Sequence, residues 1–158
     1  MKEVISMNFT EYFEWDLYCS SKYDPKYYSD HIVEVEQALA NDLTFNLMSE
    51  EDQMITRYMA LGHDLLEDTD ATVEEMKQYV PDIVIAGIVL LTKQPNEKYE
   101  DYIRRIMICG DERVILVKKA DMYDHIIKKK RTLTERLKNK YKPILPYLIR
   151  MKRWTADE

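Results

Sequence analysis

The stretch Leu61–Asp70 carries a dense group of side chains that can bind a metal ion or accept a proton. It reads Leu-Gly-His-Asp-Leu-Leu-Glu-Asp-Thr-Asp, so His63 and Asp64 are followed about one turn later by Glu67 and Asp68. On a helix, residues four positions apart are neighbours, which pairs His63 with Glu67 and Asp64 with Asp68. Apolar residues flank the run, and buried carboxylates are costly unless they are paired, hydrogen-bonded or bound to a metal. The spacing therefore indicates a metal-and-base site.

A His-Asp dipeptide alone is common, so this site needs partners elsewhere in the chain. The 3 histidines are His31, His63 and His125, and all fall in segments that suit such a site. Asp121 lies on an otherwise apolar helix face, together with Asp124 three residues later. A salt bridge from Asp121 to a neighbouring lysine is the ordinary alternative to metal binding.

The elements that must position these residues all show helical patterns, which predicts an all-α bundle. The periodicity predicts a turn region at Ser21–Asp30 and loops at Asn41–Asn46 and Thr92–Asn96. The first helix is predicted to pack through four aromatic side chains, Tyr12, Phe13, Trp15 and Tyr18. Predicted helices are Thr10–Ser20, Ile32–Ala40, a helix from Ser49 through Leu61 into the motif, one after Thr72, Ile83–Leu91, Tyr99–Cys109, Glu112–Lys130, Thr134–Tyr141 and Pro143–Trp154.

Several helix ends are predicted from capping residues. Asp30 is predicted to cap the second helix, which would place His31 at its N-terminus. Ser49 precedes acids in a first turn, and Thr72-x-x-Glu75 is a capping box. Gly110 is predicted to end its helix.

Composition predicts one domain over residues 1–158 and an ordinary cytoplasmic protein. The chain is 46% hydrophobic, and no apolar run is long enough for a membrane helix. Its 2 cysteines match no metal spacing and are expected to be free thiols.

Residues 1–80 hold 5 Lys+Arg and 18 Asp+Glu, whereas residues 81–158 hold 18 Lys+Arg and 11 Asp+Glu. An acidic half suits a cation, and a basic half suits phosphate. The chain contains no basic motif interleaved with aromatic residues, so nucleic-acid binding is not predicted.

A longer pattern extends from about residue 22 to residue 141. It comprises His31, His63-Asp64-Leu-Leu-Glu67-Asp68-Thr69, Leu91-Thr92-Lys93, Tyr99-Glu-Asp-Tyr102-Ile and Val117-Lys-Lys-Ala-Asp121-Met-Tyr-Asp124. This pattern resembles the HD-domain metal-dependent phosphohydrolases. It is similar to the hydrolase domain of the bifunctional alarmone synthetase/hydrolases and to the small stand-alone alarmone hydrolases, which act in the stringent response.

The resemblance implies an HD-domain helical bundle that removes the 3′-pyrophosphate of (p)ppGpp. It implies Mn²⁺ or another divalent transition metal, with a small nucleotide as substrate, neither nucleic acid nor membrane as partner, and proton transfer from water to an acidic pair. The implied metal ligands are His31, His63, Asp64 and Asp121. The implied catalytic acids are Glu67 and Asp68, and the candidate substrate contacts are Lys22, Arg104 (or Arg105), Lys118, His125 and Tyr141.

Two departures from the family pattern keep other substrates open. His125 stands where these hydrolases carry an Asn that contacts the nucleotide, and Ile32 stands where they carry a Pro. One alternative is an HD phosphohydrolase or 5′-nucleotidase for another nucleotide, such as a deoxynucleoside monophosphate. Another is a catalytically idle domain that senses a nucleotide or binds a protein. The Glu67-Asp68 pair favours alarmone hydrolysis, whereas His125 is also compatible with an HD phosphohydrolase that acts on another nucleotide.

Overall fold

The computed structural model describes residues 8–125, and within this range the regular elements are all helical, which confirms the predicted all-α class. A π-helical turn, Tyr28–Ile32, joins α2 to α3, and a 3₁₀ turn, Leu39–Asn41, follows α3. The α-helices are α1 (Phe9–Lys22), α2 (Pro25–Tyr27), α3 (Val33–Ala38), α4 (Leu43–Asn46), α5 (Glu50–Gly62), α6 (Leu65–Asp68), α7 (Val73–Met76), α8 (Asp82–Leu90), α9 (Tyr99–Cys109) and α10 (Glu112–Tyr123).

Three predicted helix termini are confirmed, two by capping hydrogen bonds and one by its backbone conformation. The Ser49 side chain accepts a hydrogen bond from the backbone N–H of Asp52. Thr72 and Glu75 form the reciprocal capping box at the start of α7. Gly110 adopts the left-handed conformation, with φ of 70°, and ends α9 at the predicted residue. These signals depend only on neighbours along the chain, so tertiary packing does not disturb them.

The predicted turn at Ser21–Asp30 is wrong, because helical backbone begins at Pro25. Asp24 is the cap, and its carboxylate accepts from two backbone N–H groups of the first turn. Proline at the first helical position is favoured there, because its missing N–H would have no helical partner. Asp30 is therefore no cap, and His31 lies inside a run of helical turns rather than at a helix N-terminus.

Two further predictions near the N-terminus are wrong in part. Phe13 is 51% exposed, whereas Trp15 and Tyr18 are buried and Tyr12 is half-buried. Residues 13 and 15 lie about 200° apart around a helix, so they cannot share one buried face. The predicted loop at Asn41–Asn46 instead contains the short helix α4.

The core forms around α10, which is buried from Val114 to Met122. Helix α5 packs against α10 and also contacts α1, α3 and α8. Gly62 permits this packing, since a Cβ at that position would lie 2.6 Å from Cδ1 of Ile88 and 2.8 Å from Cζ2 of Trp15. Both lysines in the buried part of α10 have acidic partners, Lys118 with Asp121 and Lys119 with Asp42. Buried ammonium groups require such partners.

Between residues 8 and 125, no helix has the length and apolar character needed to span a membrane. The end of the predicted helix Glu112–Lys130 and the predicted helices Thr134–Tyr141 and Pro143–Trp154 lie outside the described residues. Helix α8 confirms the predicted apolar helix near Ile83–Leu91, although one side of it faces outward at Ile83 and Val89.

Candidate metal centre

His63 and Asp64 lie at a break between two helices. Helix α5 ends at Gly62 and α6 begins at Leu65, so the continuous helix predicted through the motif is wrong. The buried Tyr23 hydroxyl donates to the Leu61 carbonyl at 3.0 Å and accepts from the Asp64 N–H at 3.2 Å. Because a helix break leaves backbone groups without helical partners, this one side chain stabilises the turn that presents both residues.

Four side chains from three parts of the fold meet at this break. His31 comes from the π-helical turn Tyr28–Ile32, and Asp121 comes from α10. One ligand atom from each of His31, His63, Asp64 and Asp121 lies within 4.8 Å of the other three. The Nε2 atom of His31 is 2.9 Å from Oδ1 of Asp121, and the Nε2 atom of His63 is 3.2 Å from Oδ2 of Asp64. The four predicted ligands therefore converge on one buried point.

The two imidazoles direct their Nε2 atoms to this point. Nδ1 of His63 lies 2.6 Å from the Ala60 carbonyl oxygen, which can only accept, so the proton of the neutral ring is on Nδ1. Nδ1 of His31 lies 2.7 Å from Oδ2 of Asp124. Each ring then directs the lone pair of Nε2 inward, in the manner of metal-binding histidines.

Buried atoms without hydrogen-bond partners mark the centre of the cluster. Nε2 of His31, Nε2 of His63 and Oδ1 of Asp121 are buried and make no directional hydrogen bond. An unsatisfied buried polar group costs about 1–3 kcal/mol, so three such atoms facing one another favour a bound cation or, in its absence, a proton. Two imidazoles and two carboxylates form a mixed donor set that fits a divalent transition metal.

Neighbouring groups hold the two carboxylates in fixed orientations. The buried Lys118 ammonium is 2.8 Å from Oδ2 of Asp121, which leaves Oδ1 of Asp121 to face the histidines. The Tyr27 hydroxyl donates to Oδ2 of Asp64 at 2.5 Å. Tyr27 was not predicted as a site residue, although it lies one helical turn before His31.

The charges of the cluster shift its pKa values in opposite directions. Burial would raise the pKa of Asp121, but Lys118 and the surrounding histidines hold this pKa well below its usual value. Burial would also raise the pKa of Asp64, but the neighbouring His63 lowers this pKa below its usual value. Burial would lower the pKa of His63, but Asp64 and Asp121 raise it well above 6.5. Without a cation, protonation of His63 balances the two carboxylates.

Glu67 and Asp68 lie on α6, just beyond the four converging residues. Burial, followed by the charge of Asp64, raises the pKa of Asp68. Burial is also the main cause that raises the pKa of Glu67, whose Oε1 accepts a hydrogen bond from the backbone N–H of Lys93. The structure thus places both predicted acids beside the cluster without adding them to it. The Lys93 contact comes from the Leu91-Thr92-Lys93 stretch that the sequence pattern included.

Two of the predicted substrate contacts lie on the surface. The Lys22 ammonium is 3.2 Å from Oδ1 of Asp70, at the end of the His-Asp motif. Arg104 is paired with acids of its own helix, including Asp101 at 3.2 Å. Arg105, the alternative to Arg104, is held by Glu97. Binding of substrate by Lys22 or by Arg104 stays a prediction.

The other predicted contacts differ in position. Lys118 is buried against Asp121, with its ammonium 4.9 Å from the centre of the Tyr102 ring. His125 has Nε2 3.3 Å from Oδ1 of Asp121, and its ring stacks on His31 at 4.1 Å between centroids. Tyr141 lies outside the described residues. Substrate roles for all three stay predictions.

No protein-family model matches the sequence, and no curated protein matches it. A solved structure has a similar fold, with a TM-score of 0.66, 18% sequence identity, and coverage of 96% of this chain and 91% of that chain. It is described as a metazoan orthologue of SpoT that hydrolyses ppGpp and plays a role in starvation responses. The chain shares the all-helical fold of that hydrolase. The resemblance inferred from sequence is thereby confirmed at the level of fold.

Proposed function

We propose that this protein is a divalent-metal-dependent phosphohydrolase that removes the 3′-pyrophosphate of (p)ppGpp or of a related alarmone nucleotide. The observation that carries the proposal is the convergence of His31, His63, Asp64 and Asp121 on one buried point. The HD fold supports it, because the similar structure is described as a ppGpp hydrolase. At 18% identity, the similar fold does not identify the substrate, which must be determined by an activity assay.

The proposed ligands of the ion are His31, His63, Asp64 and Asp121. Lys118 holds the outer oxygen of Asp121, so that carboxylate is oriented to bind through Oδ1. A divalent ion held there would make a water more acidic and would offset phosphate charge. We propose Mn²⁺ as this ion, while the same donor types also suit iron or zinc.

The proposed role of Glu67 and Asp68 is to accept the proton of the attacking water. Both carboxylates lie beside the ligands and are more exposed than they are, so a water and a phosphate can reach them. A base is most effective when its pKa is near the working pH, and burial raises both pKa values in that direction. The Lys93 N–H that contacts Glu67 restricts the motion of this carboxylate.

The proposed substrate carries several negative charges and needs cations besides the ion. Lys22 can supply one, because its partners Asp70 and Glu75 are exposed carboxylates and such pairs are weak. Lys118 is proposed to act through Asp121, since its ammonium already contacts that ligand. Arg104 is proposed as a peripheral cation, and Tyr141 as a stacking surface for the guanine, a contact worth about 1–3 kcal/mol.

The test is a panel assay of the purified protein with added Mn²⁺. The substrates are ppGpp, pppGpp, the related adenine alarmones and nucleoside monophosphates, and pyrophosphate and orthophosphate are measured separately. The proposal expects pyrophosphate from ppGpp, and it expects His63→Ala and Asp64→Ala to lose both activity and bound metal. Glu74→Gln, which changes an exposed acid on α7 outside the proposed site, is the control and should keep both. Absence of turnover on every substrate would overturn the proposal and favour an idle nucleotide-sensing domain.

A second candidate is an HD phosphohydrolase that acts on another nucleotide, and His125 favours it. This residue stands where the resembled hydrolases carry a nucleotide-binding Asn, and its ring stacks on His31 rather than pointing away from the site. A nucleotide bound beside His31 and Asp121 would therefore meet an imidazole instead of an amide. Release of orthophosphate from a monophosphate, without pyrophosphate from ppGpp, would decide for this candidate.

A further inference from the structure

Asp124 is a buried carboxylate that the proposed reaction does not yet use. Its side chain is 1% exposed, and its Oδ2 lies 2.7 Å from Nδ1 of His31, whose side chain is also 1% exposed. The two residues are 93 positions apart in the sequence, so this contact exists only because α10 packs against α3, the helix that follows the turn with His31.

The backbone on both sides of this contact is specialised. His31 lies in the π-helical turn Tyr28–Ile32, and the chain widens into another π-helical turn at Asp124 and His125, after α10 ends. Single π-helical turns inside α-helical segments are rare and are frequently found at functional sites. Here the two turns face each other and bring a carboxylate to one specific ring nitrogen.

We propose that Asp124 is a positioning residue that orients His31 for metal binding, an inference that rests on the proposed metal-dependent function. A carboxylate that accepts from Nδ1–H fixes the tautomer of the imidazole and makes Nε2 the ligand atom. It also increases the electron density that Nε2 can donate. Nε2 of His31 lies 2.9 Å from Oδ1 of Asp121, closer than Nε2 of His63 at 3.4 Å.

The two histidines of the cluster are therefore not equivalent. Nδ1 of His63 is held by a neutral backbone carbonyl, that of Ala60, whereas Nδ1 of His31 is held by a charged carboxylate. A charged acceptor makes a stronger hydrogen bond than a neutral one. Asp124 thus makes His31 the stronger of the two nitrogen donors. This carboxylate also adds negative charge near a site in which Lys118 neutralises part of the charge of Asp121.

The experiment measures Mn²⁺ binding directly, by the electron paramagnetic resonance signal of the free ion, and so needs no substrate. Asp124→Leu removes the acceptor, keeps the branched shape of the side chain, and should weaken Mn²⁺ binding about 10–100-fold, the usual effect of losing such a partner. Asp124→Asn keeps an acceptor oxygen without the charge and should lose clearly less affinity than Asp124→Leu. Asp42→Leu breaks the other buried ion pair of α10, that between Lys119 and Asp42. This variant should lower stability without changing the affinity for Mn²⁺.

A second measurement covers the case in which Asp124→Leu does not fold. Nitrogen NMR of ¹⁵N-histidine-labelled protein loaded with diamagnetic Zn²⁺ should show the His31 proton on Nδ1, and Asp124→Asn should shift that signal. A His31 proton on Nε2, or wild-type affinity for Mn²⁺ in Asp124→Leu, would overturn this inference alone. Equal losses in Asp124→Asn and Asp124→Leu would also overturn it, because charge rather than orientation would then matter. A wild-type protein that binds no Mn²⁺ would overturn the proposed function as well.

Discussion

Mn²⁺ should stabilise this protein against thermal unfolding, and the stabilisation should increase with pH. In the metal-free protein, burial disfavours the charged form of His63, but Asp64 and Asp121 raise its pKa well above 6.5. A cation at the cluster must displace the proton from His63, so protons compete with Mn²⁺ over the neutral range.

The sign of the pH effect follows from these pKa shifts. Because the folded-state pKa of His63 is raised, its contribution to the stability of the metal-free protein is full below about pH 6.5 and is lost as pH rises through the folded-state pKa. The lowered pKa values of Asp64 and Asp121 contribute stability above about pH 3.8, which is lost only as pH falls into the acid range. Between pH 6 and pH 8, roughly the histidine range, His63 therefore dominates.

The expected size can be worked out for one ion and one displaced proton. An ion at about 100 times its Kd stabilises by about 2.7 kcal/mol. For a chain of 158 residues, where 1 kcal/mol shifts the Tm by about 2–4 °C, this corresponds to about 5–11 °C. Displacement of one proton changes the binding free energy by at most about 1.4 kcal/mol per pH unit. At a fixed Mn²⁺ concentration, the Tm shift should thus grow by up to about 3–6 °C per pH unit.

The assay is a thermal unfolding series with EDTA and with Mn²⁺, for the wild-type protein and two variants. His63→Gln should lose the Mn²⁺ shift together with most of its pH dependence. Asp70→Asn changes an exposed acid in the same sequence motif, outside the four converging residues, and should behave like the wild type. A Tm shift by Mn²⁺ that is equal at pH 6 and pH 8, or that persists in His63→Gln, would refute the reasoning.

The other predictions concern single substitutions. Glu67→Gln should keep the ion and lower kcat by about 10²–10⁴-fold, measured by metal analysis and steady-state kinetics. Loss of the ion in this variant would instead indicate that Glu67 is a metal ligand. Lys22→Ala and Tyr141→Ala should raise KM for ppGpp more than they lower kcat, and an unchanged KM in a less stable Tyr141→Ala protein would mean that this ring only packs. His125→Asn should keep or raise ppGpp hydrolysis, whereas its collapse in the same assay would point to a different nucleotide. Gly62→Ala should lower the free energy of unfolding by about 1–3 kcal/mol in urea titrations, because the added Cβ would overlap Ile88 and Trp15. An unchanged free energy of unfolding would contradict the close packing of Ile88 and Trp15 on Gly62.

Residue types and short spacings were enough to predict the parts of the fold that depend on local interactions. Ser49, the Thr72–Glu75 capping box and Gly110 each act on backbone groups within three or four residues, so their effects were readable from the sequence. The cap of the helical run before His31 was predicted wrongly as Asp30, although Asp24 directly precedes Pro25, which is favoured at the first helical position. The structure places Asp24 before Pro25, and the helical run that follows carries His31 into the core.

For the candidate site, the sequence determined which residue types were present, and the resemblance selected four of them as ligands. Their convergence was a tertiary outcome, because His31 and Asp121 reach the His63–Asp64 turn from distant parts of the chain. Tertiary structure also decided which ring nitrogen of each histidine faces inward. That choice depends on Asp124 for His31 and on a backbone carbonyl for His63, and neither contact has a signature in local spacing. The helix break at His63 likewise required Tyr23, some forty positions earlier in the chain, to pair the backbone groups that the break left open.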